Sequence, residues 1–211
     1  MKPTPEDLFK RNQEWAESKL SKDSQFFSKL SNIQSPKYLW IGCSDSRVPA
    51  NEIVGMDPGE LFVHRNVANV VPHSDANCLA VIQYAVEILG VEHIVVTGHY
   101  NCGGIRAALG DADHGQIDNW LAHIKDVIKD NYEEIFDLKD EQERVDRLCE
   151  LNVIRQVSNV AKTSIIQNAW RNGKSITVHG WVYGLNDGLL RDLKVDISNL
   201  EQIHPAFQIN S

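Results

Sequence analysis

Four short aliphatic runs set the frame of the chain: Tyr38–Ile41, Leu61–Val63, His93–Thr97 and Ser175–His179. They are dense rather than alternating, and Ile94, Val95 and Val96 follow one another without a polar break. Strands of that kind are covered on both faces, as in a parallel sheet. A fifth run, Lys194–Ile197, is more polar and reads as an edge strand.

Helical periodicity fills the intervals. Asn77–Leu89 carries apolar residues at 78, 79, 81, 82, 85, 86, 88 and 89, with Gly90 as a candidate C-cap. Ile117–Ile128 spaces Ile117, Trp120, Leu121, Ile124, Val127 and Ile128 at helical intervals. Asp140–Trp170 predicts one or two helices with Leu148, Leu151, Ile154, Val157, Ala161, Ile165 and Trp170 inside. The first thirty residues read as a helical arm. Thr4 is its candidate N-cap, Pro5, Glu6 and Asp7 suit a first turn, and Leu8, Trp15 and Leu20 form an uneven apolar stripe. Ser35-Pro36 separates the arm from the first strand.

Strands alternating with helices imply an α/β fold: a mostly parallel central sheet of four to five strands flanked by helices. We expect one domain over residues 1–211, with an arm at 1–35 and an α/β core with a C-terminal extension at 36–211. In such sheets ligands sit beyond the carboxyl ends of the strands, near the topological switch point.

Composition narrows the function classes. With 211 residues, 42% of them hydrophobic, the chain can bury a sizeable core. A net charge of −8 argues against a partner coated with phosphates, so no nucleic acid is expected. No apolar run approaches a membrane span, and the N-terminus lacks the apolar segment of a secretory signal. The expected location is cytoplasmic, without a membrane partner, and the four cysteines are then expected to stay reduced.

The first strand runs into Gly42-Cys43-Ser44-Asp45-Ser46-Arg47-Val48-Pro49, the third into Gly98-His99-Tyr100-Asn101-Cys102-Gly103-Gly104. A cysteine at a strand end is by default a small core hydrophobe, and H-x-x-C alone is a weak pattern. Two such clusters after two strands, with Asp45 two residues from Cys43, favour a shared site over coincidence. Cys43, Asp45, His99 and Cys102 are a coherent ligand set for Zn2+. Cys78 and Cys149 fall on apolar helical faces and read as core. His64 precedes Arg65 at a strand end and reads as packing near the site. His93 and His179 have no ligand partner at useful spacing. His73, His114, His123 and His204 are surplus, with none singled out as a proton shuttle. The glycine-rich loop lacks a phosphate-binding lysine, and Cys43 and Cys102 lack the C-x-x-C spacing of a thiol oxidoreductase.

Taken together, C-S-D-S-R-V-P at Cys43–Pro49, H-R-N-V-A-N at His64–Asn69 and G-H-Y-N-C-G-G at Gly98–Gly104 resemble the β-class carbonic anhydrases. G-W-V-Y-G at Gly180–Gly184 and D-G-L-L-R-D-L at Asp187–Leu193 extend the likeness over nearly the whole chain. The sequence is most similar to the bacterial subgroup with a regulatory bicarbonate site. The resemblance implies one zinc per chain, held by Cys43, His99 and Cys102. It implies reversible hydration of carbon dioxide to bicarbonate and a proton by zinc-bound hydroxide. Asp45 and Arg47 would form the active-site ion pair. With the pair broken, Asp45 would ligate zinc and shut the site, and bicarbonate or low pH would favour that closed form. Trp40, Arg65 and Tyr183 match the regulatory bicarbonate pocket. Gln34, Phe62 and Tyr84 match positions of the substrate cleft, some reaching across from a partner subunit. A homodimer assembled into a homotetramer is expected. The alternatives are a carbon disulfide or carbonyl sulfide hydrolase on the same fold, or a non-catalytic zinc or bicarbonate sensor.

Overall fold

The computed structural model describes residues 2–32 and 34–209. The chain divides into two compact units, Met1–Gln34 and Ser35–Ser211. In the first, α1 (Pro5–Lys22) begins with the reciprocal cap its sequence invites. The Thr4 hydroxyl accepts from the Asp7 N–H, and the Asp7 carboxylate accepts from the Thr4 N–H. Trp15 meets Phe26 and Phe27 of α2 (Phe26–Asn32) edge-on, with ring centroids 6.5 and 5.7 Å apart. No residue of α1 is buried, and Leu8 and Phe9 are 55% and 78% exposed. The stripe on Leu8, Trp15 and Leu20 is therefore left largely uncovered by its own chain.

The second unit is built on a five-stranded sheet in the order β2-β1-β3-β4-β5. Its strands are β1 (Tyr38–Cys43), β2 (Leu61–Asn66), β3 (His93–His99), β4 (Thr177–Tyr183) and β5 (Leu190–Asp192). The first four are parallel, and β5 runs antiparallel to β4. The chain leaves β1 for β2 on one side and resumes at β3 on the other. The switch point thus falls between the carboxyl ends of β1 and β3, where Cys43 and His99 stand.

Two strand expectations need correction. The fourth strand begins at Thr177 rather than Ser175 and continues through Gly180 to Tyr183. The fifth lies at Leu190–Asp192. Within Lys194–Ile197, only Ile197 pairs with the sheet through its backbone, in an isolated antiparallel bridge to Val178. His93 and His179 are also not solitary. Cross-strand pairing places His93 Nδ1 3.0 Å from His179 Nε2, and His179 Nδ1 lies 3.1 Å from the Asp196 carboxylate.

Helices pack on the sheet: α3 (Ala50–Ile53), α4 (Ala76–Gln83), α5 (Gly103–Leu109), α6 (Ile117–Asp130), α7 (Tyr132–Phe136), α8 (Glu141–Lys162) and α9 (Ser164–Arg171). The pattern over 77–89 is not one regular helix. From Tyr84 to Leu89, α4 widens into π-helical turns that end at Gly90, whose φ of 69° only glycine adopts at no cost. The pattern over 140–170 breaks at Thr163, which is extended. Its hydroxyl donates to the Val160 carbonyl and accepts from the Ile166 N–H, ending α8 and starting α9. Leu148, Leu151, Val157 and Ala161 are buried as expected. Ile154, Ile165 and Trp170 are only half-buried, and Ile166 is fully buried instead.

One core cluster joins Leu39, Ile41, Ile94, Val96, Val178 and Val182 of the sheet to Val153 and Val157 of α8 and Ile166 of α9. Gly180 of β4 makes room for Val195 first and for helix α8 beside it. A Cβ there would stand 2.6 Å from Val195 Cγ2, 3.0 Å from Val157 Cγ2 and 3.1 Å from Val153 Cγ1. A second cluster gathers Cys43, Cys102 and Cys149 with Ala68, Ile105, Leu121, Ile124 and Leu148. The strand ends that carry the candidate ligands therefore rest on a packed base. No helix among the described residues is long and apolar enough to cross a membrane.

Candidate metal centre

Parallel pairing brings the candidate ligands together. Cys43 ends β1, His99 ends β3, and Cys102 caps the start of α5 three residues later. Their ligating atoms lie within 4.8 Å of one another, and all three residues are buried. The two sulfurs are 3.9 Å apart. His99 Nδ1 lies 2.9 Å from the Tyr100 carbonyl, which can only accept, so the proton sits on Nδ1. That leaves Nε2 with its lone pair free. It is buried and has no hydrogen-bond partner among the described residues.

An orphaned imidazole nitrogen facing two sulfurs would be costly as a purely structural arrangement. It is a natural arrangement for a tetrahedral soft cation with one position left open. The sulfurs are also poised to lose protons. The Cys102 thiol beside it, then His99 and the backbone N–H groups of Asp45 and Ala68, hold the Cys43 thiol well below its ordinary value against the opposing effect of burial. The same contact with Cys43, with burial, pushes Cys102 up, so the pair gives up its first proton readily and its second only to a cation. The donor set fits zinc.

Asp45 and Arg47 stand at the mouth of this cluster. Arg47 Nε donates to Asp45 Oδ1 at 2.9 Å and Nη2 to Oδ2 at 2.6 Å, the two-point geometry in which a guanidinium holds a carboxylate. The Arg47 backbone N–H also donates to Oδ1 at 2.9 Å. Asp45 Oδ2 is 3.6 Å from His99 Nε2. Hydrogen bonds from Arg47 hold the Asp45 carboxyl below the usual carboxylate range, so it is ionised at any physiological pH.

The proposed regulatory residues are only partly gathered. Arg65 lies opposite Gly42 in the β1–β2 register, and the buried Trp40 indole folds over Gly42, so these two are neighbours. Arg65 donates through Nε to the Cys43 carbonyl at 2.8 Å and through Nη2 to the Asp45 carbonyl at 2.5 Å. It thereby fixes the backbone on both sides of the ligand loop. Tyr183 pairs with His99 on β4, across β3 from this group, and no hydrogen bond among the described residues joins it to Trp40 or Arg65.

Phe62 and Tyr84 meet at a tilt with 5.9 Å between centroids, and Phe62 is opposite Leu39, four residues before Cys43. At ~3.3 Å per residue that is about 13 Å along the strand. Gln34 is exposed and belongs to the N-terminal unit.

Sequence reasoning missed two supports. Ala68 adopts φ 62°, rare for a residue with a Cβ, and its N–H donates to Cys43 Sγ at 3.4 Å. That turn is held by Asn152 Nδ2 donating to the Ala68 carbonyl and by Trp120 Nε1 donating to the Val67 carbonyl. The second is the Tyr100 carbonyl that sets the His99 tautomer. Both act through backbone atoms, on which side-chain identity is silent.

A family model described as carbonic anhydrase matches residues 38–190. A carbonic anhydrase of Emericella nidulans is 50% identical over 200 residues, covering 95% of this chain and 88% of that one. A solved β-carbonic anhydrase from Coccomyxa, in complex with acetazolamide, superposes with a TM-score of 0.90 at 39% identity, covering 95% and 90% of the two chains. A tetrameric β-carbonic anhydrase of the filamentous ascomycete Sordaria macrospora gives 0.87 at 41% identity, covering 90% and 97%. These relatives point to the family as a whole and do not single out its bacterial subgroup.

Proposed function

The chain belongs to the β-class carbonic anhydrase family and is an enzyme of that kind, and from this we propose how its own residues carry out the reversible hydration of carbon dioxide. The observation that carries the reading is the buried, unpartnered Nε2 of His99 facing the Cys43 and Cys102 sulfurs beside a clamped carboxylate. Cys43, His99 and Cys102 would hold one zinc ion. When bound, zinc is a Lewis acid that brings the pKa of water toward neutrality, to about 7 in the carbonic anhydrases that hold it with three histidines. Two thiolates leave the cation less positive than three neutral imidazoles would, so the protein must assist the nucleophile. Asp45 accepts a hydrogen bond from the attacking water and orients its lone pair toward carbon dioxide. Arg47 keeps that carboxylate in place. The buried floor of Cys102, Ile105 and Ala68 keeps bulk water off the ligands.

Regulation follows from the same carboxylate. The Arg47 clamp is the open state. Were the clamp released, Asp45, whose Oδ2 lies 3.6 Å from His99 Nε2, would be free to join the ligand cluster and would exclude the substrate water. Bicarbonate would favour this closed state by binding near Trp40 and Arg65, with Tyr183 across β3 outside that group, and drawing Arg65 off the Cys43 and Asp45 carbonyls. That is the regulated behaviour implied by the resemblance to the bacterial subgroup. Arg65→Ala is therefore expected to keep its zinc and lose bicarbonate inhibition, read as initial hydration rate against added bicarbonate. Inhibition equal to wild type would remove this pocket from the account.

The working unit is a homodimer, paired into a tetramer, in the cytoplasm, with 1–35 as an arm of the single domain. The exposed Leu8, Phe9 and Trp15 of the arm suit burial against a second copy. Phe62, Tyr84 and Gln34 then serve the partner's cleft. The test of the whole reading is stopped-flow hydration of carbon dioxide by zinc-loaded protein.

A further inference from the structure

One other group of ligating side chains converges among the described residues. His64, Asp75 and Cys78 bring a ring nitrogen, a carboxylate oxygen and a sulfur within 4.8 Å of one another. His64 belongs to β2, is 6% exposed, and points to the opposite face from Arg65. Asp75 is the half-buried N-cap of α4, and Cys78 sits in its first turn with no exposure at all. We propose that these three side chains form a second cation site, for a divalent ion of the zinc or cobalt type.

The donor types decide the class of ion. Thiolate, imidazole and carboxylate together suit a borderline-soft ion with a fourth position for water. Magnesium and calcium prefer all-oxygen cages. Asp75 and His64 are available at small cost, and Cys78 must give up its proton to bind the ion. Asp75 Oδ1 accepts from the Asn77 N–H at 3.0 Å as the helix cap, which leaves Oδ2 for an ion. The contact of His64 Nε2 with Asn66 Nδ2 is long, at 3.3 Å. Asn66 stays doubly paired with the Val70 backbone if that contact is given up. Cys78 Sγ makes no hydrogen bond among the described residues. Burial pushes the Cys78 thiol up to about 12, with Asp75 adding to it, so it remains protonated until a cation displaces the proton. Burial holds the His64 ring below its ordinary value and therefore neutral.

The position gives the site a structural consequence. An ion here ties the end of β2 to the start of α4 across the segment that contains Arg65 and Ala68. Those residues hold the Cys43 and Asp45 carbonyls and the Cys43 sulfur.

Metal-free full-length chain titrated with Co2+ tests this through near-ultraviolet thiolate-to-metal absorption. Wild type is expected to bind in successive phases. The second adds about half the intensity of the first, because it recruits one thiolate rather than two. Cys78→Ala should lose the second phase and keep the first. Asp75→Asn, which keeps the helix cap, should weaken the second phase by about 10-fold or more. A single phase in wild type, or a second phase unchanged in the variants, overturns the proposal. If Cys78→Ala does not fold, Asp75→Asn decides alone.

Discussion

Cys43→Ser is expected to lose its catalytic zinc and to lower kcat/KM for carbon dioxide hydration by more than about 100-fold, the upper end of what even indirect supports of a metal ligand cost. A serine hydroxyl has nearly the size of the thiol, so packing changes little. It does not ionise near neutral pH, however, and it cannot supply the negative charge that the Cys43–Cys102 pair offers. His99→Ala should behave alike, since it removes the one buried nitrogen with no hydrogen-bond partner that faces the sulfurs. Metal analysis and hydration rates are the readouts. They are best made in a Cys78→Ala background, so that a cation at His64, Asp75 and Cys78 cannot stand in for the lost one. Stoichiometric zinc retained by Cys43→Ser in that background would contradict the ligand assignment.

Arg47→Ala is expected to keep zinc, lose at least about 10-fold in kcat at neutral pH, and shift its pH–rate profile to the alkaline side. The sign can be worked out from the clamp. Arg47 holds the Asp45 carboxyl below the usual range. Without Arg47 that value rises toward the ordinary carboxylate pKa of about 3.9, still far below neutral. Asp45 therefore stays ionised in the variant, and protonation cannot explain a loss of rate at pH 7. What changes is its freedom to turn to the metal, against which hydroxide competes better as pH rises. Wild type is expected to show a milder form of the same competition, with low activity at mildly acidic pH that climbs toward alkaline pH. A variant profile that superposes on wild type would remove Arg47 from this role.

Much of the fold was legible because β1 and β3 are dense apolar runs buried on both faces, whereas β2, with only His64 buried, departs from the two-face burial its apolar start suggested. The end of β4 was hidden because Gly180 and Trp181 interrupt the aliphatic pattern. The glycine leaves room for Val195 and for α8, a tertiary reason that local pattern does not reveal. The edge strand was misplaced for a related cause. Lys194–Ile197 has the better alternation, but the ladder to β4 is made by Leu190–Asp192, whose residues are half-exposed or exposed and so carry little hydrophobic signal. At the site, Cys43, Asp45, His99 and Cys102 stood out because strand ends in an α/β sheet are where ligands converge. The left-handed Ala68 and the tautomer-setting Tyr100 carbonyl could not stand out, since neither side chain does the work. The pairing of His64 with Asp75 and Cys78 joins residues from a strand and a helix start that share no motif spacing, and only the packed chain brings them together.

The central claim is that zinc held by Cys43, His99 and Cys102 makes this chain hydrate carbon dioxide. The most direct measurement is stopped-flow hydration at alkaline pH on metal-free protein reconstituted stepwise with zinc. The account predicts a rate that rises in proportion to the first equivalent of zinc, then levels off, and falls again with a chelator. Full occupancy of that site with no rate above buffer would contradict it.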